Sequence, residues 1–400
     1  MNLLCLYDED ISVRFPAHYR EVLLKLLPAY GLPTLTFCFD SRTSKVCKVS
    51  DNLISIPKIR PRNLLDIFRE YFITKKNLSN AIQEHLVFRP DFVLAFNHPI
   101  LIKFGYELSK KYRSQFLVHI GHLMAEELIG SQQLTHQLRG TAAFINRYLS
   151  LKKADRLLVI SPEMKNYFTK FRSPAIHKIY TWNSGVEVNQ KPEFYSNKAQ
   201  QLKKSLGLDN CNLLIYIGNM SKYRKLTFLI DVMDRIIYRQ KIEKVKMIFI
   251  GYAVNKQDIK ILEDYSAKKK LSRWILFHPP VPETELPYYI KMADIGLCPT
   301  PDTMVLKQCS PVKILEYFKV GLPAVATNIP DLRLMIQQSQ GGYCAKWNID
   351  DYAATVIKLL KLSKEKRLEM GLNGFRWISS QRSVDVLTKN LYRDVFLQEK

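Results

Sequence analysis

Ser310–Thr327 reads SPVKILEYFKVGLPAVAT. A serine followed by a proline suits the start of a helix: the hydroxyl can accept from free amides, and proline's fixed φ fits the first helical position. Gly321 then closes the helix, and Pro323–Ala326 reads as a strand. Helix followed by short apolar strand is the unit of a parallel sheet, and the same unit recurs along the chain. Strands are expected at Leu3–Tyr7, Leu35–Phe39, Phe92–Ala95, Phe116–His119 and Leu157–Ile160. A second series is expected at Leu213–Ile217, Lys246–Ile250, Ile275–Phe277, Ile295–Pro299 and Ala324–Ala326. Between the two series, Val188–Lys204 is polar and has the composition of a linker. The expected class is therefore α/β, with two Rossmann-like domains over residues 1–187 and 205–375 joined by a linker over 188–204. Residues 376–400 form a closing helix. Domains of this kind facing each other line one cleft with the carboxyl ends of both sheets, where open α/β sheets bind ligands.

Composition narrows the ligand. The 400 residues are 47% hydrophobic and 24% charged, the balance of a folded globular protein. Sixty Lys and Arg against 37 Asp and Glu leave a net charge of +23. That excess favours phosphate ligands, anionic lipid or nucleic acid. It is spread over both halves rather than held in an arm, and no aromatic-and-basic stacking motif accompanies it, which argues against nucleic acid as a partner. No apolar run is long enough to span a bilayer, and MNLLCLYDED is too acidic for a secretory leader, so a cytoplasmic location is expected. The seven cysteines are scattered, without a C-x-x-C pair, which fits a reducing compartment and does not fit zinc. Neither G-x-G-x-x-G nor a P-loop motif occurs, so dinucleotide oxidoreductases and P-loop enzymes are disfavoured.

The helix that begins at Ser310 offers free amides and the positive end of its dipole to an anion, through Ser310, Pro311 and Val312. Glu316 lies six residues further on, roughly 9 Å along the axis at about 1.5 Å per residue. That span suits a diphosphate and the ribose attached to it. The plainer alternative is a helix that packs on its sheet with Glu316 in solvent.

Other stretches decide between these. SPVKILEYFKVGLPAVAT resembles the donor-binding helix of the GT-B glycosyltransferases of family four, retaining enzymes that use nucleotide sugars. ADRLLVISPEM (Ala154–Met164), KIYTWNSGVEV (Lys178–Val188), LLIYIGNMSKYRKLTFLIDVM (Leu213–Met233) and VPETELPYYIKMADIGLCP (Val281–Pro299) resemble further motifs of that family, in the family's order. GGYCAKWNIDDYAATVIKLL and EMGLNGFRWI resemble its closing elements. The resemblance implies a metal-independent enzyme without a cofactor, acting on a UDP- or GDP-linked sugar. It also implies that the closing helix crosses back to the first domain.

By the same resemblance, Gly218 and the loop after it hold the donor diphosphate. The family's usual Arg after that glycine is Asn219 here, while Arg224 stands where a Lys is usual, flanked by Lys222 and Lys225. Arg can grip phosphate bidentately, so the exchange keeps the chemistry. Glu316 matches the ribose-binding glutamate. The glutamate expected eight positions earlier is Gln308, which hydrogen-bonds without charge. Lys313 either contacts the diphosphate or pairs with Glu316 on one helix face. In the first domain, His119 or His122 falls where many members place an active-site histidine. Glu126 and Glu127 follow and are expected in solvent. Arg14, in the loop after the first strand, is a candidate for acceptor or phosphate contact. Asp8-Glu9-Asp10 imitates a D-x-D metal motif, but the surrounding pattern belongs to a fold that holds diphosphate without metal.

Pro57–Asn80 carries six basic and two acidic residues, with Ile67, Phe68, Tyr71 and Phe72 at helical spacing. Such a segment either rests on anionic lipid at the inner face of a membrane or packs on its own sheet. The reading that follows is sugar transfer to a glycan or lipid-linked glycan acceptor in surface-polysaccharide or glycoconjugate synthesis. The rival is an inactive GT-B partner of another transferase, which Asn219 and Gln308 would explain.

Overall fold

Near-continuous apolar runs mark strands that are covered on both faces, as strands of a parallel sheet are. The structure, a computed structural model, describes residues 1–11, 16–58, 64–131, 133–170, 178–253 and 255–398. Its chain divides into two compact units. One comprises Met1–Ser184 with Val384–Lys400, and the other Gly185–Ser383.

The first unit holds β1 (Leu3–Asp10), β2 (Thr34–Asp40), β3 (Cys47–Ser50), β4 (Leu53–Pro57), β5 (Phe92–Phe96), β6 (Gln115–Ile120), β7 (Arg156–Val159) and β8 (Ile179–Thr181). They form one sheet in the order β3-β4-β2-β1-β5-β6-β7-β8. All neighbours run parallel except the hairpin β3·β4 at one edge. Every residue of β3 is exposed, so no apolar pattern announces it in the sequence. Strand order reverses between β1 and β5, which places a ligand crevice at their carboxyl ends.

The second unit holds β9 (Asn212–Asn219), β10 (Val245–Tyr252), β11 (Ile275–His278), β12 (Ile295–Cys298), β13 (Ala324–Thr327) and β14 (Gly342–Ala345), ordered β11-β10-β9-β12-β13-β14. All pairs are parallel. Successive residues of β9 enter opposite cores: Leu214 and Tyr216 one, Leu213, Ile215 and Ile217 the other. This is the period-two alternation of a strand with helices on both sides. Here the order reverses between β9 and β12.

Two expectations change. The stretch read as a linker folds as a 3-10 turn (Pro192–Tyr195) and a helix (Ser196–Ser205) of the second unit. Tyr195 and Ala199 are buried in that unit's core, and Lys198 and Lys203 pair with Glu285 and Asp294. Its polar composition marks the outer face of a helix. The closing segment is two helices, not one: Lys364–Gln381 belongs to the second unit and Val384–Leu391 to the first. Val384, Leu391, Val395 and Phe396 join the first unit's core, where Phe396 meets the edge of Phe92 at 5.0 Å.

Candidate active site

In the second unit, the chain leaves β9 through Gly218 at φ +113°, a conformation that favours glycine. Asn219 follows and spends its side chain locally: its Oδ1 accepts from the Ser221 amide at 2.7 Å, while its carbonyl accepts from Tyr216 Oη at 2.8 Å. A polar turn-former thus stands where the resemblance would put a cation, and it shapes the loop. Within that loop Lys222 and Lys225 are exposed, whereas Arg224 is half-buried, its guanidinium 5.0 Å from the Tyr223 ring.

The helix opposite runs Val312–Lys319 and starts later than its sequence suggests. Pro311 occupies the cap position, and no side chain caps the helix. The Ser310 hydroxyl instead accepts from Arg382 Nη1 at 3.4 Å, and Arg382 Nη2 is 3.0 Å from the Asp331 carboxylate. Arg382 and Asp331 are both buried, so this pair fixes the approach to the helix from beneath. Lys313 reaches back over β9: its Nζ donates to Tyr216 Oη at 3.2 Å and lies 4.5 Å from the ring. A methyl group on Gly218 would sit 3.8 Å from Lys313 Cε. The Cys298 thiol at the end of β12, pushed up to about 11 by burial, feels the opposing pull of both Lys313 and Arg224. Two cations therefore lie toward the β9/β12 switch point, beside the amino end of Val312–Lys319.

Glu316, one turn along, has its carboxyl raised above the ordinary value by burial, with Glu283 and Glu187 adding and Lys319 opposing. Gln308 is buried in the loop before the helix, its Nε2 3.4 Å from the Met304 carbonyl.

Tyr317 secures this arrangement. Its hydroxyl donates toward the carbonyls of Leu297 (2.9 Å) and Ile215 (3.3 Å) and accepts from the Ile217 amide at 3.3 Å. It thereby fills the gap where β9 and β12 part. Gly296 makes room for it, since a Cβ there would lie 2.4 Å from the ring. Tyr317→Phe is expected to cost about 2–3 kcal/mol in a denaturant titration, because buried backbone groups lose their partner. A change below about 0.5 kcal/mol would show that the hydroxyl does not hold the strands.

In the first unit, Asp8, Glu9 and Asp10 lie within β1 and not in a loop. Burial first, then Glu9, raises the Asp8 carboxyl to about 7, against the pull of Lys58 and His122. Asp10 accepts from the Ser41 amide at 3.1 Å. Among the described residues no three acids, histidines or cysteines gather as metal ligands. His119 ends buried, its ring 4.6 Å from Phe96 and 5.1 Å from Trp182, with Nε2 3.4 Å from Tyr19 Oη. Burial, helped by nearby His18, lowers it to about 3, so it stays neutral at physiological pH. His122 is more open, and its Nε2 meets Glu127 at 2.6 Å. Glu126 corrects the expectation of solvent: it is buried against Arg147 and Tyr167. Arg14 lies outside the described residues.

The segment 57–80 belongs to a helix, Leu64–His85, with residues 59–63 and the side chains of Ile67 and Phe68 outside what is described. Leu78, Ala81 and Ile82 are buried; Phe72 and Ile73 are exposed. Tyr71 lies under Lys103.

Two doubly wound units, each a parallel α/β sheet, are the GT-B architecture. Residues 198–377, all within the second unit, match the family Glycosyl transferases group 1. Among solved structures, sucrose-phosphate synthase of Thermosynechococcus elongatus superposes with a TM-score of 0.78 at 15% identity, covering 99% of both chains. Anabaena HepE, solved in complex with UDP, superposes with a TM-score of 0.70 at 16% identity over 100% of both. In sequence, TuaH of Bacillus subtilis, named as a teichuronic acid biosynthesis glycosyltransferase, is 21% identical over 62% of this chain. Spore coat protein SA of the same organism is 24% identical over 59% of it. These matches span 58% and 63% of the relatives' own length.

Proposed function

We propose that this chain is a retaining glycosyltransferase that moves a sugar from a nucleotide-diphosphate donor to a glycan or lipid-linked glycan acceptor in surface-polysaccharide or glycoconjugate assembly. The observation that carries this reading is the convergence of Arg224 and Lys313 on the β9/β12 switch point, beside the amino end of Val312–Lys319. Cations and oriented amides there stabilise the charge that builds on a departing diphosphate, and such stabilisation is usually the largest single contribution to catalysis. Glu316 accepts hydrogen bonds from the ribose hydroxyls. Gln308, uncharged, contacts the donor sugar.

In the first unit, neutral His119 is a hydrogen-bond partner and not a proton carrier. His122, oriented by Glu127, is the histidine suited to handle a proton. The departing phosphate is the base for the acceptor hydroxyl, with His122 assisting that transfer, and no protein nucleophile is assigned. HepE and its complex with UDP-glucose favour a uridine donor here. The acceptor reading draws on the relative named for teichuronic acid biosynthesis; a lipid-linked acceptor would be met at the inner face of a membrane.

Thermal unfolding with UDP, GDP, ADP and CMP tests the donor. UDP at 100 times its dissociation constant should add about 2.7 kcal/mol of stability, and Glu316→Ala should remove most of that gain. If no nucleotide shifts the midpoint, the chain is a GT-B partner without donor binding, and the commitment of Asn219 to its own turn becomes the reason.

A further inference from the structure

The helix Leu134–Leu151 in the first unit is built inside out. Its buried face holds Gly140, Arg147, Ser150 and Leu151. Gly140 lies so close to the preceding helix, Met124–Ile129, that a Cβ would come within 2.7 Å of the Ile129 amide and 2.8 Å of the Ala125 carbonyl. Arg147 enters the same contact as an ion pair: its Nη1 donates to Glu126 Oε2 at 2.9 Å, and Tyr167 Oη donates to Glu126 Oε1 at 2.7 Å. A charged and small-residue face is thus pinned inward.

The outer face is apolar. Leu134, Leu138, Ile145 and Leu149 are 69%, 63%, 52% and 53% exposed. At about 3.6 residues per turn they fall within an arc of roughly 60°, a single stripe running the length of the helix. Single exposed leucines need no explanation, but four apolar residues on one side of one helix, in two pairs with Thr141 between them, mark an interaction surface.

Charge selects the occupant. From Leu128 to Ala154 there is no Asp or Glu, while Arg139, Lys152 and Lys153 join the buried Arg147 as the basic residues. A second copy docked on this stripe would bring its own Arg139, Lys152 and Lys153 toward these, in a chain of net charge +23, and like charges would oppose the contact. An anionic bilayer satisfies both features, taking leucines into the acyl boundary and cations at its headgroups.

We infer that Leu134–Leu151 is a membrane-docking helix that lies in the plane of an anionic lipid surface through Leu134, Leu138, Ile145 and Leu149. This gives the membrane-facing acceptor reading a physical surface, and it moves that surface from the segment 57–80 to this helix. No helix among the described residues is long and apolar enough to cross a membrane, so this would be contact with one leaflet.

The test uses the full chain with no donor or acceptor. Protein is sedimented with vesicles of phosphatidylglycerol and phosphatidylcholine, or of phosphatidylcholine alone, at low and high salt. The double variant Leu138→Ser/Ile145→Ser should bind the anionic vesicles about ten-fold or more weakly. Its thermal midpoint should not fall, since both side chains face solvent, and wild-type binding should weaken at high salt. Equal binding of variant and wild type would overturn the inference. So would a wild-type dimer in sedimentation velocity that the double variant dissolves, since the stripe would then join copies of the chain. The nucleotide-induced thermal shift, measured on the same variant, keeps failure here separate from failure of the donor reading.

Discussion

Arg224→Ala and Lys313→Ala should each lower donor turnover by about 10²–10³-fold, the cost of removing one preorganised charge partner from a developing anion. The expected loss lies in kcat and in kcat/KM together, because the diphosphate gains charge as its bond to the sugar breaks. Both side chains lie against the end of the parallel sheet and take part of their position from Tyr216 and Tyr223. The double variant should lose less than the product of the single losses, since two groups that stabilise one anion act as a unit. Lys222 is the internal control. It is exposed in the same loop, and its backbone amide donates to Asp258 Oδ2 at 2.9 Å. Lys222→Ala should change turnover by less than about three-fold. Steady-state kinetics on the three single variants decides the matter: a Lys222 loss equal to the Arg224 loss would mean that overall basicity, and not geometry, serves the donor.

Arg147→Met should cost about 3–5 kcal/mol of stability, because it leaves the Glu126 carboxylate buried without its cation. The pH dependence gives this prediction a sign. Burial alone would raise the Glu126 carboxyl, but the hydrogen bonds and charge of Arg147, with the Tyr167 hydroxyl, hold it below its ordinary value of 4.5. The pair's contribution is therefore complete above about pH 4.5 and is lost as pH falls through the lower folded value. In the Met variant burial is opposed only by the Tyr167 hydroxyl and a backbone hydrogen bond, the carboxyl rises, and protonation relieves the buried charge. The stability gap between the two proteins should consequently narrow as pH falls from 7 toward 4. Urea titrations at several pH values measure it. A gap that stays constant across that range would mean that Glu126 is hydrated in the folded protein.

The strands were legible because parallel strands covered on both faces need long apolar runs, and Leu213–Ile217 or Phe92–Ala95 can be read in no other way. β3 was not legible, since CKVS at an exposed edge has nothing to bury. Composition misled at Pro192–Ser205, where polar residues mark the wet side of a helix and only Tyr195, Ala199 and Leu202 hint at the dry side. In the candidate site, Gly218, Arg224, Lys313 and Glu316 could be singled out by local pattern, because strand end, loop cation and helix start are contiguous in sequence. The parts held at a distance could not. Tyr317 bonds to residues 20 and 102 positions away, and Arg382 reaches Ser310 across 72. Gly296 was the available hint, since a glycine inside a strand often marks a close approach. The outward stripe of Leu134–Leu151 was likewise invisible, because periodicity shows that a helix is two-faced but not which face turns inward.

The amide of Val186 bonds to the carbonyl of Arg382 at 3.0 Å, and Val186 pairs with Ser383 as an isolated parallel bridge. The second unit thus begins and ends at one spot: Val186 is one residue from its first residue and Ser383 is its last. In architectural terms it is a cassette inserted into the first unit, with its two ends already stitched together. Residues 185–383 could accordingly be cut out as one piece with their termini held by their own bonds, and the first unit closed by a short bridge from Ser184 to Val384. The two units could then be exchanged between relatives at this seam without cutting a strand of either sheet.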